Sequence, residues 1–212
     1  MRKWYPVILI ALAFAISIIL YRHLPDPMPT HWNTRGQVDG YSSRLVGAFL
    51  MPLIMIAIAA LIPVLPKIDP RGANYQKFDT AYFTIMNATI TLMFVIHVFA
   101  LAAAIGFSVS IGRLIPTAVG LLFIVIGNIL PRIRPNWMVG IRNPWTLSSD
   151  RVWERTHRLG GYLMLGLGVL LLLSGPFAPS TATFVLILVG TIAVGIGITI
   201  YSYVLWKQEK RA

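Results

Sequence analysis

The sequence predicts an all-α polytopic membrane helix bundle: six transmembrane helices, both termini cytoplasmic, and a short interfacial amphipathic helix. Three observations predict it. The 212 residues are 57% hydrophobic and only 12% charged, where an ordinary soluble domain is about a quarter charged. Six apolar segments recur along the chain, each near the ~20 residues that cross a ~30 Å hydrocarbon core. The density of Lys and Arg alternates from one connecting segment to the next, which sets an orientation.

The apolar segments fall at 6–21, 45–65, 81–107, 114–130, 159–173 and 182–206. Arg2 and Lys3 precede the first, as in a signal peptide, but Tyr21-Arg22-His23-Leu24-Pro25 follows it in place of a small-residue cleavage site, so a retained helix is expected. One set of connections carries Arg2, Lys3, Lys67, Arg71, Lys77, Arg132, Arg134, Arg142, Arg151, Arg155, Arg158, Lys207, Lys210 and Arg211. The other carries only Arg22, Arg35, Arg44 and Arg113. The basic set is expected inside, and an even number of spans then puts both ends in the cytoplasm. The net charge of +11 is read the same way, as contact with anionic headgroups and not with nucleic acid. The chain divides into a two-helix unit, 1–66, with an extracellular Pro-rich loop, and a four-helix unit, 67–212, with a long cytoplasmic basic loop at 131–158.

The six tryptophans, Trp4, Trp32, Trp137, Trp145, Trp153 and Trp206, lie near span ends or in loops, which reads as an interfacial belt. Glycines crowd the last two spans, and Ala193 with Gly197 forms a small-xxx-small pair that allows close helix approach. The chain has no cysteine, so disulfides, thiolate metal sites and cysteine nucleophiles are excluded. No phosphate loop, nucleophile motif or paired-His zinc motif is present. No catalytic residue, metal site or cofactor is assigned.

Two loops carry the chemistry. In the first, Pro25, Pro27 and Pro29 stiffen the path, and turns follow at Gly36 and Asp39-Gly40. It presents His31, Trp32, Asn33 and Asp39 within nine residues; these groups can hold the loop together or recognise a ligand. In the second, Pro131, Pro135, Gly140 and Pro144 exclude a regular helix. An amphipathic helix is expected to begin at Ser148, Ser149 or Asp150 and to run into the fifth span, with Val152, Trp153, Thr156 and Leu159 on its apolar face. Within it Glu154 is spaced to pair with Arg158, and His157 shares that face. Inside the spans His97 stands out as an ionisable residue at depth, with Asn87 or Asn128 as expected hydrogen-bond partners.

The second loop is similar to the signature of the SdpI family of bacterial membrane proteins. The matching residues are Gly127-Asn128, Pro131, Arg134-Pro135-Asn136, Gly140-Ile141-Arg142, Pro144-Trp145-Thr146-Leu147, Val152-Trp153 and Thr156-His157-Arg158. The first loop resembles that family's N-terminal domain at Leu24-Pro25, Pro29, His31-Trp32-Asn33, Gly36 and Asp39-Gly40. The resemblance implies a membrane immunity protein that protects a cell against a secreted antimicrobial peptide toxin. In some members it also implies a receptor that captures a small cytoplasmic repressor. The partners expected are therefore membrane lipids, a peptide toxin at His31, Trp32, Asn33 and Asp39, and a cytoplasmic protein at the inner-loop signature. That signature comprises Asn128, Arg134, Asn136, Gly140, Arg142, Pro144, Trp145, Thr146, Trp153, Glu154, His157 and Arg158. A small transporter built on His97, or an intramembrane enzyme pairing His31 with Asp39 or Glu154 with His157, stands as the alternative.

Overall fold

The computed structural model describes residues 4–211, so Arg2 and Lys3 lie outside the described residues. Its long helices are α1 (Tyr5–Leu20), α2 (Arg44–Ile68), α3 (Asp79–Ala104), α4 (Ile111–Ile129), α6 (Asp150–Ser174) and α7 (Ser180–Glu209). A one-turn helix, α5 (Pro144–Ser148), precedes α6. All six long helices, α1 together with the turn that continues it to His23, have the length and hydropathy of a membrane span, and the chain is a multi-pass membrane protein. Residues such as Ile192, Ile196 and Ile200 recur every fourth position on α7 and are more than half exposed. In water that stripe would be a liability, whereas in a bilayer it faces acyl chains.

α2, α4, α6 and α7 are longer than their apolar segments, and polar residues cap two of them. Ser43 caps α2 by accepting from Val46 N, and Ser149 caps α6 by accepting from Val152 N. The amphipathic segment and the fifth span therefore form one continuous helix. Three prolines, Pro52, Pro63 and Pro66, lie inside α2 without ending it. Neighbouring helices and local adjustments can re-satisfy the freed carbonyls in such spans.

α1, α2 and α3 pack on one another, and α4, α6 and α7 form a second group joined to the first where α3 meets α4. The closest approach is between antiparallel α4 and α6, through two reciprocal glycine pairs seven residues apart. A Cβ on Gly120 would stand 2.8 Å from the Gly168 carbonyl oxygen, and one on Gly168 would stand 2.7 Å from that of Gly120. Gly127 and Gly161 are related in the same way, at 2.7 and 2.6 Å. Any side chain there would force the backbones apart. This stripe replaces the Ala193–Gly197 pair read from the sequence, since a Cβ on Gly197 would meet nothing within 4 Å.

The first loop contains a small antiparallel sheet that its prolines had masked: β1 (Met28–Trp32) pairs with β2 (Val38–Ser42). The Asn33 side-chain oxygen fixes the turn by accepting from Arg35 N at 2.9 Å and Gln37 N at 3.1 Å. Gly36 takes the positive φ of 76° that the turn requires. Met28 roots the hairpin in an apolar cluster with Leu24, Ala48 and Leu101. At the other end the hairpin tip sits on the starts of α4 and α7. A Cβ on Gly36 would lie 3.2 Å from Gly112 Cα and 3.5 Å from Ser180 Oγ.

Candidate functional site

The two loops lie at opposite ends of the bundle, the hairpin where α1 and α3 end and the basic loop where α4 ends and α6 begins. The basic loop (residues 133–149) is held by buried polar side chains, each with its hydrogen bonds satisfied. That is what an irregular backbone at a membrane surface requires.

Asn136 is fully buried. Its amide nitrogen donates to the carbonyls of Arg134 and Val139, both at 2.9 Å. Its oxygen accepts from Met138 N at 2.9 Å and Val139 N at 2.7 Å. One side chain thus folds the turn at 134–139. Beside it lies Asp69, a nearly buried carboxylate from the end of α2, which accepts from Trp137 N at 2.9 Å, Arg71 N at 2.7 Å and Tyr75 O–H at 3.0 Å. The Tyr75 hydroxyl also lies 3.4 Å from the Asn136 oxygen, but it has one proton, and the shorter bond goes to the carboxylate. Burial, and then the bond to Asp69, push the Tyr75 phenol well above its ordinary range. Asp69 and Tyr75 escaped sequence reading. The available signal was an acidic residue set between Lys67 and Arg71 in a basic connection.

The second half of the loop is fastened to α6. His157 is fully buried. Its Nδ1–H donates to the Trp153 carbonyl at 2.9 Å, and its Nε2 accepts from Ile141 N at 3.0 Å. That arrangement defines a neutral Nδ1–H tautomer. The ring stacks on Trp153, with centroids 4.0 Å apart. Trp153 donates from Nε1 to the Ile133 carbonyl at 2.8 Å and is a core residue, which removes it from the interfacial belt. Gly140 passes directly over the imidazole at φ 114°. Asn143 and Thr146 form a capping box that starts α5 after Asn143, with Pro144 in its first turn. Asn143 Nδ2 also donates to Ser202 Oγ of α7 at 2.8 Å, and Trp145 packs against Tyr203 at 5.3 Å.

Around this frame the charges are exposed. Glu154 pairs with Arg134 at 3.2 Å and not with Arg158, because the loop folds back over the first turns of α6. Arg71 pairs with Asp150 at 2.8 Å. Arg142 donates to the Trp137 carbonyl at 2.9 Å. Among the described residues Arg132, Arg151, Arg155 and Arg158 form no ion pair or side-chain hydrogen bond, and they leave a cationic rim. Glu154 and His157 are not brought together, since one is exposed and the other is sealed under Gly140. Asn128 is exposed on α4, away from His97.

At the far end His31 Nδ1 and Asp39 Oδ1 are 2.5 Å apart across the hairpin, and both side chains are substantially exposed. Gly40 makes room for that ring, since a Cβ there would stand 2.8 Å from His31 Cβ. Trp32 is half-buried beside them, while the Asn33 amide oxygen is engaged in the turn. Within the bundle His97 is buried, with Nε2 2.9 Å from Ser17 Oγ on α1, not bonded to Asn87 or Asn128. Asn87 leaves its side-chain oxygen buried and unpartnered.

Comparison with known proteins locates both loops within named regions. The SdpI/YfhL protein family profile matches residues 132–202, from the basic loop through most of α7. A domain of unknown function (DUF1648) matches residues 8–56, which include the hairpin. The chain is 26% identical to the immunity protein SdpI of Bacillus subtilis (strain 168) over 95% of its own length and 94% of that protein's. It is 34% identical over 47 residues to the uncharacterized membrane protein YbgB of the same organism, covering 22% of this chain and 52% of that one. No solved structure matches the chain.

Proposed function

We propose that the chain, whose basic loop and last helices match the SdpI/YfhL family profile, is a membrane immunity protein giving resistance to a secreted antimicrobial peptide toxin. The observation that carries this reading is the likeness to the Bacillus subtilis immunity protein along nearly the whole chain, hairpin and basic loop included.

In this proposal the termini are cytoplasmic and the hairpin faces outward, as the distribution of basic residues favours. His31, Trp32 and Asp39 then present a polar, aromatic surface to the peptide, with Asn33 holding the turn that displays them. The unit 1–66 supplies recognition and 67–212 the response. The rim of Arg132, Arg151, Arg155 and Arg158 faces the cytoplasm, where it can hold an acidic surface such as that of a small repressor. Differential affinity of the peptide for two arrangements of the bundle would link the two faces.

The test is protection. The chain is expressed in a sensitive bacterium and challenged with a panel of membrane-active peptides, beside His31→Ala and a combined Arg151→Gln, Arg155→Gln variant at equal abundance. Selective survival that His31→Ala reduces supports recognition at the hairpin. Survival with the arginine variant intact confines the function to the outer face and removes the repressor. Sensitivity to every peptide, with the protein shown in the membrane, would count against immunity.

A further inference from the structure

A groove runs along the lipid-facing seam between α3 and α4. It consists of two cavities of about 560 and 450 Å³ that share Val95, Ala118 and Leu121 in their walls. From Arg113 to Val125 on α4 it extends roughly 18 Å at about 1.5 Å per residue, more than the ~15 Å depth of one leaflet's hydrocarbon. Its walls are mainly apolar, with Phe99 and Leu114 toward the hairpin end. At that end it opens beside Ser108, Ser110 and Arg113.

The mouth is cationic. Gly36 rests on Gly112, so the hairpin tip brings Arg35 beside the first turn of α4, where Arg113 follows Gly112. Both arginines are exposed, and neither guanidinium has a hydrogen bond or ion pair among the described residues. The acidic groups on this face are already engaged: Asp39 with His31, and Asp26 with the backbone of Arg44. Arg113 in the wall of an acyl-chain-deep apolar channel, with a second uncompensated arginine, Arg35, next to the seated Gly36, matches one chemistry, a phosphate with a hydrocarbon tail.

We propose that this groove holds an anionic phospholipid of the leaflet at the hairpin end, its phosphate between Arg113 and Arg35 and one acyl chain between α3 and α4. The preference is for a lipid with net negative charge, because a zwitterionic headgroup brings its own cation to the phosphate. The site makes the hairpin's seating depend on the lipid, since Arg35 reaches the phosphate only while Gly36 rests on Gly112.

The absence of cysteine allows a site-specific test on the full chain. Leu121→Cys carries a bimane label in the groove, and Ile196→Cys on the open face of α7 is the control. Each is placed in nanodiscs titrated with phosphatidylglycerol or phosphatidylcholine brominated on the acyl chain. Quenching at position 121 should reach half-maximum at about tenfold less brominated phosphatidylglycerol than phosphatidylcholine, with no such difference at 196. Arg35→Gln with Arg113→Gln should abolish the preference. Ala118→Phe should remove saturable quenching with the charges intact, and circular dichroism checks that both variants are folded. Equal quenching by the two lipids at position 121 would overturn the proposal, as would a preference that survives loss of both arginines. Stronger quenching by a brominated Leu/Ala peptide than by either lipid would make the groove a peptide site and would overturn it as well.

Discussion

Gly140 lies so close to His157 that a Cβ on the glycine would stand 2.4 Å from the imidazole Nε2. The contact lets the backbone N–H of the next residue, Ile141, reach that nitrogen. The basic loop is thus fastened to α6 at a point where only glycine fits, for reasons of both space and φ.

Gly140→Ala should therefore destabilise the loop by about 2–3 kcal/mol, through left-handed strain together with the clash. The measurement is thermal unfolding in detergent, with limited proteolysis between 131 and 149. Unchanged melting and unchanged cleavage would show that the loop has room to shift.

Replacing His157 by Phe keeps the stacking on Trp153 but leaves the buried Ile141 N–H without its acceptor. A loss of about 1–3 kcal/mol is expected. Asn136→Leu should cost more, because four backbone groups lose their partner at once. By contrast, Glu154→Gln should cost less than about 1 kcal/mol, since its pair with Arg134 is exposed. The order Asn136, His157, Glu154 in melting temperature is the readout, and a different order would mean that the exposed charges hold the loop.

Gly127→Leu should separate α4 from α6, because its side chain would meet backbone on the partner helix. A cost of upwards of roughly 3 kcal/mol is expected, with loss of folded protein. Gly195→Leu should be near neutral, since open space surrounds that position. Yields of monodisperse protein after extraction distinguish the two.

Tyr75 gives the pH dependence its sign. Its phenol holds its proton above the ordinary range in the folded chain, whereas the unfolded chain releases it near pH 10. Stability from this group is fully present below pH 10 and declines as pH rises beyond it, because the folded state then binds more protons. Tyr75→Phe should melt lower at neutral pH, having lost the bond to Asp69, and should lack part of the alkaline decline. Parallel alkaline slopes for the two proteins would mean that Tyr75 ionises normally.

The spans were legible because lipid enforces a uniform apolar pattern over ~20 residues. Helix ends were unevenly so: the start of α6 after Ser149 was among those expected, whereas α2 runs three residues past its apolar segment, through Pro66 and Lys67 to Ile68, which hydropathy does not register. The hairpin was hidden because Pro29 lies within β1 and Gly40 within β2, and register is fixed by Asn33 and Gly36 only in three dimensions. The basic loop's signature could be read as a set of residues but not as a division of labour. Spacing brought Glu154 toward Arg158, while the chain reversal through Asn136 brought it to Arg134 instead. Asp69 was illegible for the same reason: its partners, Trp137 and Tyr75, come from two different connections.

The seat of the hairpin tip bears on how the chain is made. Gly36 is synthesised long before Gly112 and Ser180, which together form the surface it rests on. At about 5–20 residues per second the interval before Ser180 emerges is on the order of ten seconds. During it the first two helices can be inserted while the hairpin is unseated, with Arg35 exposed at its tip. The insertion machinery, or a chaperone, thus meets an unfinished module whose seat is complete only when the beginning of the last helix has been made.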